Sequence, residues 1–560
     1  METAKTKTSI EITTRVAERI DNFERYSHPH SSLMADLAAR LARRFGLIEE
    51  DIIAISDAAR LHDIGLFAMA PPYLATPGPL SLEDRIDLWR HPIIGEQQMA
   101  RRNANRHAQL LVRWHHERWN GTGYPDMLSF EDIPIGARIL RVVELYSALT
   151  SDRPYRPALG EEQAREALRS SAGLECDPIV VGAALALLDG LRPQAEQPAP
   201  PEQHFQELQF PLLPGQSIEA VDVAASEPAV PEEAKLDPGP VSLDADEPAP
   251  PLKFTSSRCN MESLLGFQAS VLRQLEFKSI AMPLCGWGRL VSYLKTWGKV
   301  IQANDPRAWA AAAARAAIEV SEPLTAEQIG ALLEDVYVPG FRLRNPELRR
   351  WFGEADSWWL DNLRQRISAL TDDLLAAHAI VLGIQTGDYA RSFSDDTLDL
   401  KRPLTSVFRQ LASARIDSMP AHPWNQATNL PVVEFIRAKQ ADVLYLNLPS
   451  GQAETVGTLA RSDWRDSWVR GETPSGSDDV RALTTLPQSK QAYLSKIDSL
   501  LAEAGRFKTW AIEYRDAGLA SARDISELIK LHRPVHSTYS KDLTEVAGGL
   551  RNYIILAESA

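Results

Sequence analysis

Cysteine is scarce in this 560-residue chain. There are three, Cys176, Cys259 and Cys285, and no two stand at a metal-binding spacing. Three thiols cannot build a disulfide framework, which excludes the small stapled secreted folds and suits a reducing compartment. Long apolar runs are missing too. The opening METAKTKTSIEITTRVAERI has no apolar core of signal-peptide type, and the longest apolar stretch, around Ile179–Leu188, is too short to span a bilayer. A cytoplasmic protein with no membrane partner is expected. Charge of one sign is also lacking over most of the chain. The formal net charge is -15, but residues 193–251 hold twelve Asp or Glu against one Lys (Lys235), so the remainder is nearly neutral. Bulk charge therefore argues neither for nor against nucleic acid.

The patterning divides the chain in three. Strand signals are nearly absent before residue 192, where segments such as SLMADLAARLARRF and EDIIAISDAARL space apolar residues three and four apart, the helical period. Residues 193–253 are rich in Pro, Glu, Asp, Ala and Ser, a composition that cannot bury enough apolar area to order itself, and read as a linker. From 254 to 560, short apolar runs (SIAMPL, KVIQAN, AHAIVLGI, DVLYLNLP, TWAIEY, NYIILAE) alternate with helical stretches such as WAAAAARAAIEV. That alternation predicts a mostly parallel α/β sheet with helices on both faces. The expected architecture is a helical domain over 1–192, a linker over 193–253 and an α/β domain over 254–560, with no internal repeat.

The first domain carries a string of histidines and acids: His30 at a helix start, His62-Asp63, His91, His115-His116 and Glu144. A lone histidine on a helix is more often structural than a ligand, but several in one helical segment can be projected into one bundle core. Nitrogen and carboxylate donors suit Fe, Mn or Zn, and residue type alone does not choose among them. The stretch Gly121-Thr-Gly123-Tyr124-Pro125 by itself marks only a tight loop.

Together these residues resemble the HD-GYP family over about residues 25–190. The chain supplies His30-Ser31, His62-Asp63-Ile64-Gly65, His91-Pro92-Ile-Ile-Gly95, His115-His116-Glu117, Gly121-Thr-Gly-Tyr-Pro125, Ile133-Pro134, Ala137-Arg-Ile139 and Ala148-Leu-Thr-Ser-Asp-Arg153-Pro-Tyr-Arg156. The resemblance implies an all-helical fold and a site for two or three metal ions, iron or manganese. It implies hydrolysis of cyclic di-GMP to pGpG or GMP in bacterial signalling, with His62 and Asp63 as the catalytic pair. By the same resemblance His30, His62, Asp63 and Glu144 would hold one ion. His91, His115, His116 and the shared Asp63 would hold the other. The loop Gly121, Gly123, Tyr124, Pro125, with Arg153 and Arg156, would face substrate or bind GGDEF and other signalling proteins.

The chain also departs from the family pattern. Leu66 stands where the family has a Lys, Glu144 and Ser147 where it has two Asp, and Asn120 where it has an Asp before the glycine loop. Tyr26 occupies the place of a third-metal Glu, so two ions are expected rather than three.

The second half resembles, more distantly, the D12-class DNA adenine N6-methyltransferases. The start reads Leu265-Gly266-Phe267-Gln268, the loop Leu284-Cys-Gly286-Trp-Gly288, the next strand ends in Asn304-Asp305, and the catalytic motif reads Asn447-Leu-Pro449-Ser450. The loop could let backbone approach a nucleotide, and Asp305 could bind its ribose. The family's stacking Tyr is missing after Pro449, which argues against methyl transfer while leaving S-adenosylmethionine, another nucleotide or DNA as ligands the fold could hold. Three functions follow: a cyclic di-GMP phosphodiesterase, a cyclic-dinucleotide sensor that does not cleave, and a methyltransferase-related nucleic-acid binder.

Overall fold

In the computed structural model of this chain, residues 2–24, 30–75, 80–152, 157–190, 264–338, 343–413, 422–449, 464–470, 489–516, 519–543 and 551–559 are described. The expected linker, Cys259, Ser450, Arg153, Arg156 and Tyr26 lie outside them.

The described residues before 191 contain helices and no strand. The helices are α1 (Glu2–Phe23), α2 (His30–Arg44), α3 (Glu49–Leu61), α4 (Ile64–Met69), α5 (Leu82–Leu88), α6 (His91–Arg101), α7 (Arg106–Trp114), α8 (Ile135–Thr150), α9 (Glu161–Ser171) and α10 (Pro178–Gly190). The apolar spacing read from the sequence lies on their inner faces: Met34, Leu37, Ala38, Leu41 and Ala42 of α2 are buried against α3 and α8. Charge marks both ends of α3, with Glu49, Glu50 and Asp51 in the first turn and Arg60 in the last, matching the helix dipole. The Ser81–Asp84 capping box starts α5.

The second half begins with α11 (Leu265–Leu272) and continues β1 (Ser279–Met282), α12 (Arg289–Lys295), β2 (Val300–Asn304), α13 (Ala308–Ile318), α14 (Ala326–Leu333), α15 (Glu354–Ser368), α16 (Asp373–Ala390), α17 (Leu404–Ser413), β3 (Gln426–Thr428), α18 (Val432–Ala438), β4 (Val443–Asn447), α19 (Lys490–Glu503), β5 (Thr509–Arg515), α20 (Ala522–His532), β6 (Val535–Asp542) and β7 (Arg551–Glu558). The seven strands form one sheet in the order β3-β2-β1-β4-β5-β7-β6. Strands β3 to β5 run parallel, and β7 lies antiparallel between β5 and β6.

The sequence expectation holds for β1, β2, β4, β5 and β7. It fails at AHAIVLGI, which lies in the middle of α16 rather than in a strand. A continuous apolar run carries no period to tell strand from helix, and Asp372, accepting N–H bonds from Leu374 and Leu375 at 2.8 and 3.1 Å, starts an 18-residue helix there. Strands β3 and β6 were not foreseen. The first has three residues, and the second alternates half-buried and exposed positions with no apolar run.

The sheet has two different faces. Ala281, Leu444, Leu446 and Ile512 pack against α18, α19 and α20. Their neighbours Ile280, Met282, Tyr445 and Ala511 point the other way and belong to one continuous core that also contains Leu110, Val112 and Leu128 of the first half. The two halves thus share apolar packing. A separate core joins α13 to α17 with Trp464 and Trp468 of the helical segment 464–470.

Gly383 and Gly387 of α16 let the rings of Trp468 and Trp464 lie directly on the helix backbone. Gly387→Ala should therefore overpack this contact and cost about 1–3 kcal/mol, read as a lower urea midpoint with an unchanged slope; an unchanged midpoint would show that the ring is free to move.

Candidate metal centre

Helix ends assemble this site. His62 and His115 directly follow α3 and α7, and His91 comes three residues after the end of α5. Each directs Nδ1 at the carbonyl three residues earlier: His62 to Ala59 at 2.9 Å, His91 to Leu88 at 2.7 Å, His115 to Val112 at 2.7 Å. A carbonyl only accepts, so Nδ1 carries the proton in all three, and a terminal carbonyl of each helix gains a partner. The Nε2 atoms are thereby aimed inward, the orientation in which an imidazole can bind a metal.

They meet at Asp63. Its Oδ2 is 3.1 Å from His62 Nε2, and its Oδ1 is 3.2 Å from His91 Nε2 and 3.9 Å from His115 Nε2. The Nε2 atoms of His91 and His115 are 3.4 Å apart. Burial opposes charge on His62, but Asp63 outweighs it and sets the imidazole at about 10. Burial would raise Asp63, yet His62 and His91 hold it well below the usual carboxylate range. Burial and the neighbouring rings push His115 and His116 well down, so both are neutral. The Asp63 carboxylate and the neutral His115 and His116 rings thus share one buried space, where a bound cation would take the place of the proton that His62 shares with Asp63. The donor atoms of Asp63, His91, His115 and His116 lie within 4.8 Å of one another, as do those of Glu24, His62 and Asp63.

Two residues expected in the ligand set fall outside both groups. His30, the first residue of α2, has its Nδ1 2.8 Å from Ser147 Oγ, with its ring 5.7 Å from that of His62. Glu144 has Oε1 3.4 Å from His116 Nδ1 and Oε2 3.3 Å from Arg141 Nη1. Arg141 is buried and also donates to Glu175 at 2.8 Å, so it binds the Glu144 carboxylate from the side of its own helix. The expected set of His30, His62, Asp63 and Glu144 is thus brought together only in part, with His62 and Asp63 in one donor group. Glu24 was missed from the sequence. It follows the last residue of α1, and only the packing of α1 against α3 and α4 brings it to His62. Arg141 was missed as well, although its place three residues before Glu144 on one helix face was a legible signal.

The loop after His116 is tied down from inside. Glu117 accepts the backbone N–H of Asp126 at 2.7 Å and of Leu128 at 2.9 Å. Asn120 accepts from Thr122 N at 3.1 Å and Oγ1 at 2.7 Å, keeping the turn that the family's Asp would make. A Cβ on Gly123 would strike the backbone of residues 116–118, so only glycine lets the strands of this loop pass. Gly121 sits at φ 79°. Tyr124, followed by a cis Pro125, lays its ring 4.8 Å from His116 and 5.8 Å from Trp89. Leu66 is buried in α4 and brings no charge.

The second half places Gly286, Gly288, Asp305 and Pro449 after β1, β2 and β4, three adjacent parallel strands, with Asn447 the last residue of β4. Asp305 is fully buried and turned into the loop. Its Oδ2 accepts Gly286 N at 2.9 Å and its Oδ1 accepts Arg307 N and Nε at 3.0 Å. That geometry spends the carboxylate on shaping the loop and does not support the expected ribose contact. Tyr493 donates to the carbonyl of Pro449 at 2.6 Å, and Trp287 packs 4.7 Å from the Arg465 guanidinium.

Residues 14–180 match the family model of the HD domain. The chain is similar to the cyclic di-GMP phosphodiesterase response regulator RpfG of Xanthomonas campestris pv. campestris, 37% identical over 33% of this chain and 49% of that protein. It is 32% identical to the 3'3'-cGAMP-specific phosphodiesterase 2 of Vibrio cholerae, over 31% of this chain and 34% of that protein. A cyclic di-GMP phosphodiesterase of Thermotoga maritima is 34% identical over 29% of this chain and 44% of its own length. The chain thus spans between a third and a half of these relatives. No helix among the described residues is long and apolar enough to cross a membrane.

Glu117→Ala should orphan two buried backbone donors and cost about 2–5 kcal/mol. Chemical denaturation checks this, and Glu117→Gln, which keeps one acceptor, should recover part of the loss.

Proposed function

We propose that the HD-domain segment is a metal-dependent phosphodiesterase that cuts cyclic di-GMP to pGpG or GMP. The observation that carries this reading is the convergence of Nε2 atoms from His62, His91 and His115 on the single carboxylate of Asp63. Asp63, His91, His115 and His116 would hold one ion, and Glu24, His62 and the shared Asp63 the other. Iron or manganese fits this mixed nitrogen and oxygen set. Bound there, the ions supply positive charge and Lewis acidity at a phosphodiester.

The chain's own groups prepare the site. Asp63 belongs to both donor groups and so sets their spacing. The carbonyls of Ala59, Leu88 and Val112 hold three imidazoles in one tautomer. Ser147 orients His30 with a hydroxyl where the resembled family uses a carboxylate. Arg141 neutralises Glu144, which keeps a second anion beside His116 from competing with substrate. Tyr124 and Trp89 form an aromatic wall next to His116 against which a guanine could stack. Arg153 and Arg156 are the proposed phosphate contacts.

A sensor that binds without cleaving is the second reading, and the buried Leu66 favours it because no cation stands there to meet a phosphate. We assign no methyl transfer to the second half. Its β4 end lacks an aromatic ring after Pro449, and Asp305 is engaged by Arg307 and Gly286, which leaves S-adenosylmethionine without its expected acid.

The deciding assay incubates the purified chain, loaded with Mn2+ or Fe2+, with cyclic di-GMP and in parallel with 3'3'-cGAMP, and separates the products. Linear product from cyclic di-GMP is expected; calorimetric binding with no product would replace the enzyme by the sensor, and cleavage of 3'3'-cGAMP alone would change the substrate. Elemental analysis of Mn2+-loaded protein should give two ions per chain, as two donor groups require. Asp63→Ala should lose both ions together with all turnover, whereas loss of only one ion would show that Asp63 is not shared.

A further inference from the structure

The loop that follows His116 does not face away from the rest of the molecule: its far side lies against the second half of the chain. Asp126, immediately after the Gly-Tyr-Pro turn, is fully buried, and its Oδ1 accepts the backbone N–H of Gly266 at 2.9 Å. Gly266 is in the first turn of α11, a helix whose own N-cap residue, Leu264, offers no side chain for capping. Asp126 thus caps a helix of the other domain. The same carboxylate is gripped by Arg113 through Nε and Nη2, at 2.5 and 2.8 Å, and receives Trp114 Nε1 at 2.8 Å. Arg113 passes its third contact, 2.9 Å, to Glu96 Oε2. Glu96 Oε1 is met at 2.6 Å by Lys541 Nζ, from β6.

These charges are out of water. Glu96, Arg113 and Asp126 are 6%, 3% and 0% exposed. Burial would raise the Glu96 carboxyl, but Arg113 and Lys541 outweigh it and hold it at about 2. Further along the loop, Arg289 donates to Ser129 Oγ at 3.0 Å and lies over Gly121, where a Cβ would be 2.5 Å from its Nη2. Trp119 Nε1 donates to Ser392 Oγ at 2.9 Å. Gly266 itself admits no side chain, since a Cβ would stand 2.7 Å from Arg113 Nη2.

The position of this cluster gives it leverage. Glu96 is on α6, which begins with His91, and Arg113 is on α7, which His115 and His116 follow. Asp126 ends the turn whose Tyr124 covers His116. We propose that the second domain is a built-in positioning partner of the metal centre: α11 and Lys541 dock on Glu96, Arg113 and Asp126 and hold α6, α7 and the loop 120–126 in one arrangement. Lys541 is a positioning residue, acting on His91 and His115 only through Glu96 and Arg113. Removing it leaves Glu96 with its remaining partners, Arg106 at 2.8 Å and Arg113, so the cluster relaxes rather than collapses. The occupant that this loop face selects is therefore the chain's own second half, in place of an external signalling protein.

The proposal rests in part on the phosphodiesterase reading, and the test separates the two. Lys541→Met, Lys541→Arg and Arg289→Ala are made in the full chain and compared with the parent by amide hydrogen exchange, Mn2+ calorimetry and cyclic di-GMP turnover. Amides of residues 120–130, far from Lys541 in sequence, should exchange about tenfold faster in Lys541→Met and in Arg289→Ala. Mn2+ affinity and kcat should each fall about tenfold in Lys541→Met with KM unchanged, and Lys541→Arg should restore both. Unchanged exchange at 120–130 in both variants overturns the docking. Faster exchange with unchanged Mn2+ affinity, or equal losses in the Met and Arg variants, overturns the positioning role. Should the parent chain leave cyclic di-GMP intact, the phosphodiesterase reading falls, and exchange with Mn2+ affinity still decides the docking and its effect on the centre.

Discussion

The metal centre depends on one repeated hydrogen bond, an imidazole Nδ1–H given to the carbonyl three residues earlier at the end of a helix. It occurs at His62, His91 and His115, and each time it does two things at once. It satisfies a carbonyl that a terminating helix leaves bare, and it fixes which nitrogen remains a donor of electrons. Helices α3 and α7 are each capped by such a histidine and α5 is followed by one three residues on, so fold and ligand orientation share the same atoms. Asp63 then needs no special positioning, because it follows His62 in the turn between α3 and α4.

Much of this was legible in the sequence, and the reasons for the rest are local. The histidines stood out by type and number in a segment of otherwise helical pattern, and the structure brings His91, His115 and His116 to Asp63. Glu24 could not be read, since its approach to His62 depends on how α1 packs. Glu144 was read as a carboxylate at a motif position, and its pairing with Arg141, one turn earlier on the same helix face, was legible but not read. The sheet was read from five apolar runs. Periodicity failed at α16, where the apolar run is continuous, and at β6, where a half-exposed edge strand has no apolar signature.

The least legible feature is the relation between the two halves. A Pro-rich acidic stretch between two patterned regions reads as a tether between independent bodies. The residues that join them are a lysine on an edge strand, an aspartate after a turn and a glycine at a helix start, none of which signals a partner by itself. The apolar part of the junction is hidden for the same reason: Ile280, Met282 and Ala511 read as ordinary inward positions of a sheet, and only the structure shows that the core they join extends into the first half.

The cap that Asp126 places on α11 has a consequence for how such a chain can be inherited. Modules joined by a tether can be shuffled between genes, because neither surface remembers the other. Here a separation of the two halves would leave α11 without an acceptor at its start, a buried aspartate and arginine facing water, and the apolar packing that the halves share exposed. Each fragment would then tend to stick to whatever apolar surface it met. Recombination should therefore pass the two halves on as a single cassette, and substitutions at Asp126, Gly266 and Lys541 should be tolerated together more readily than one at a time.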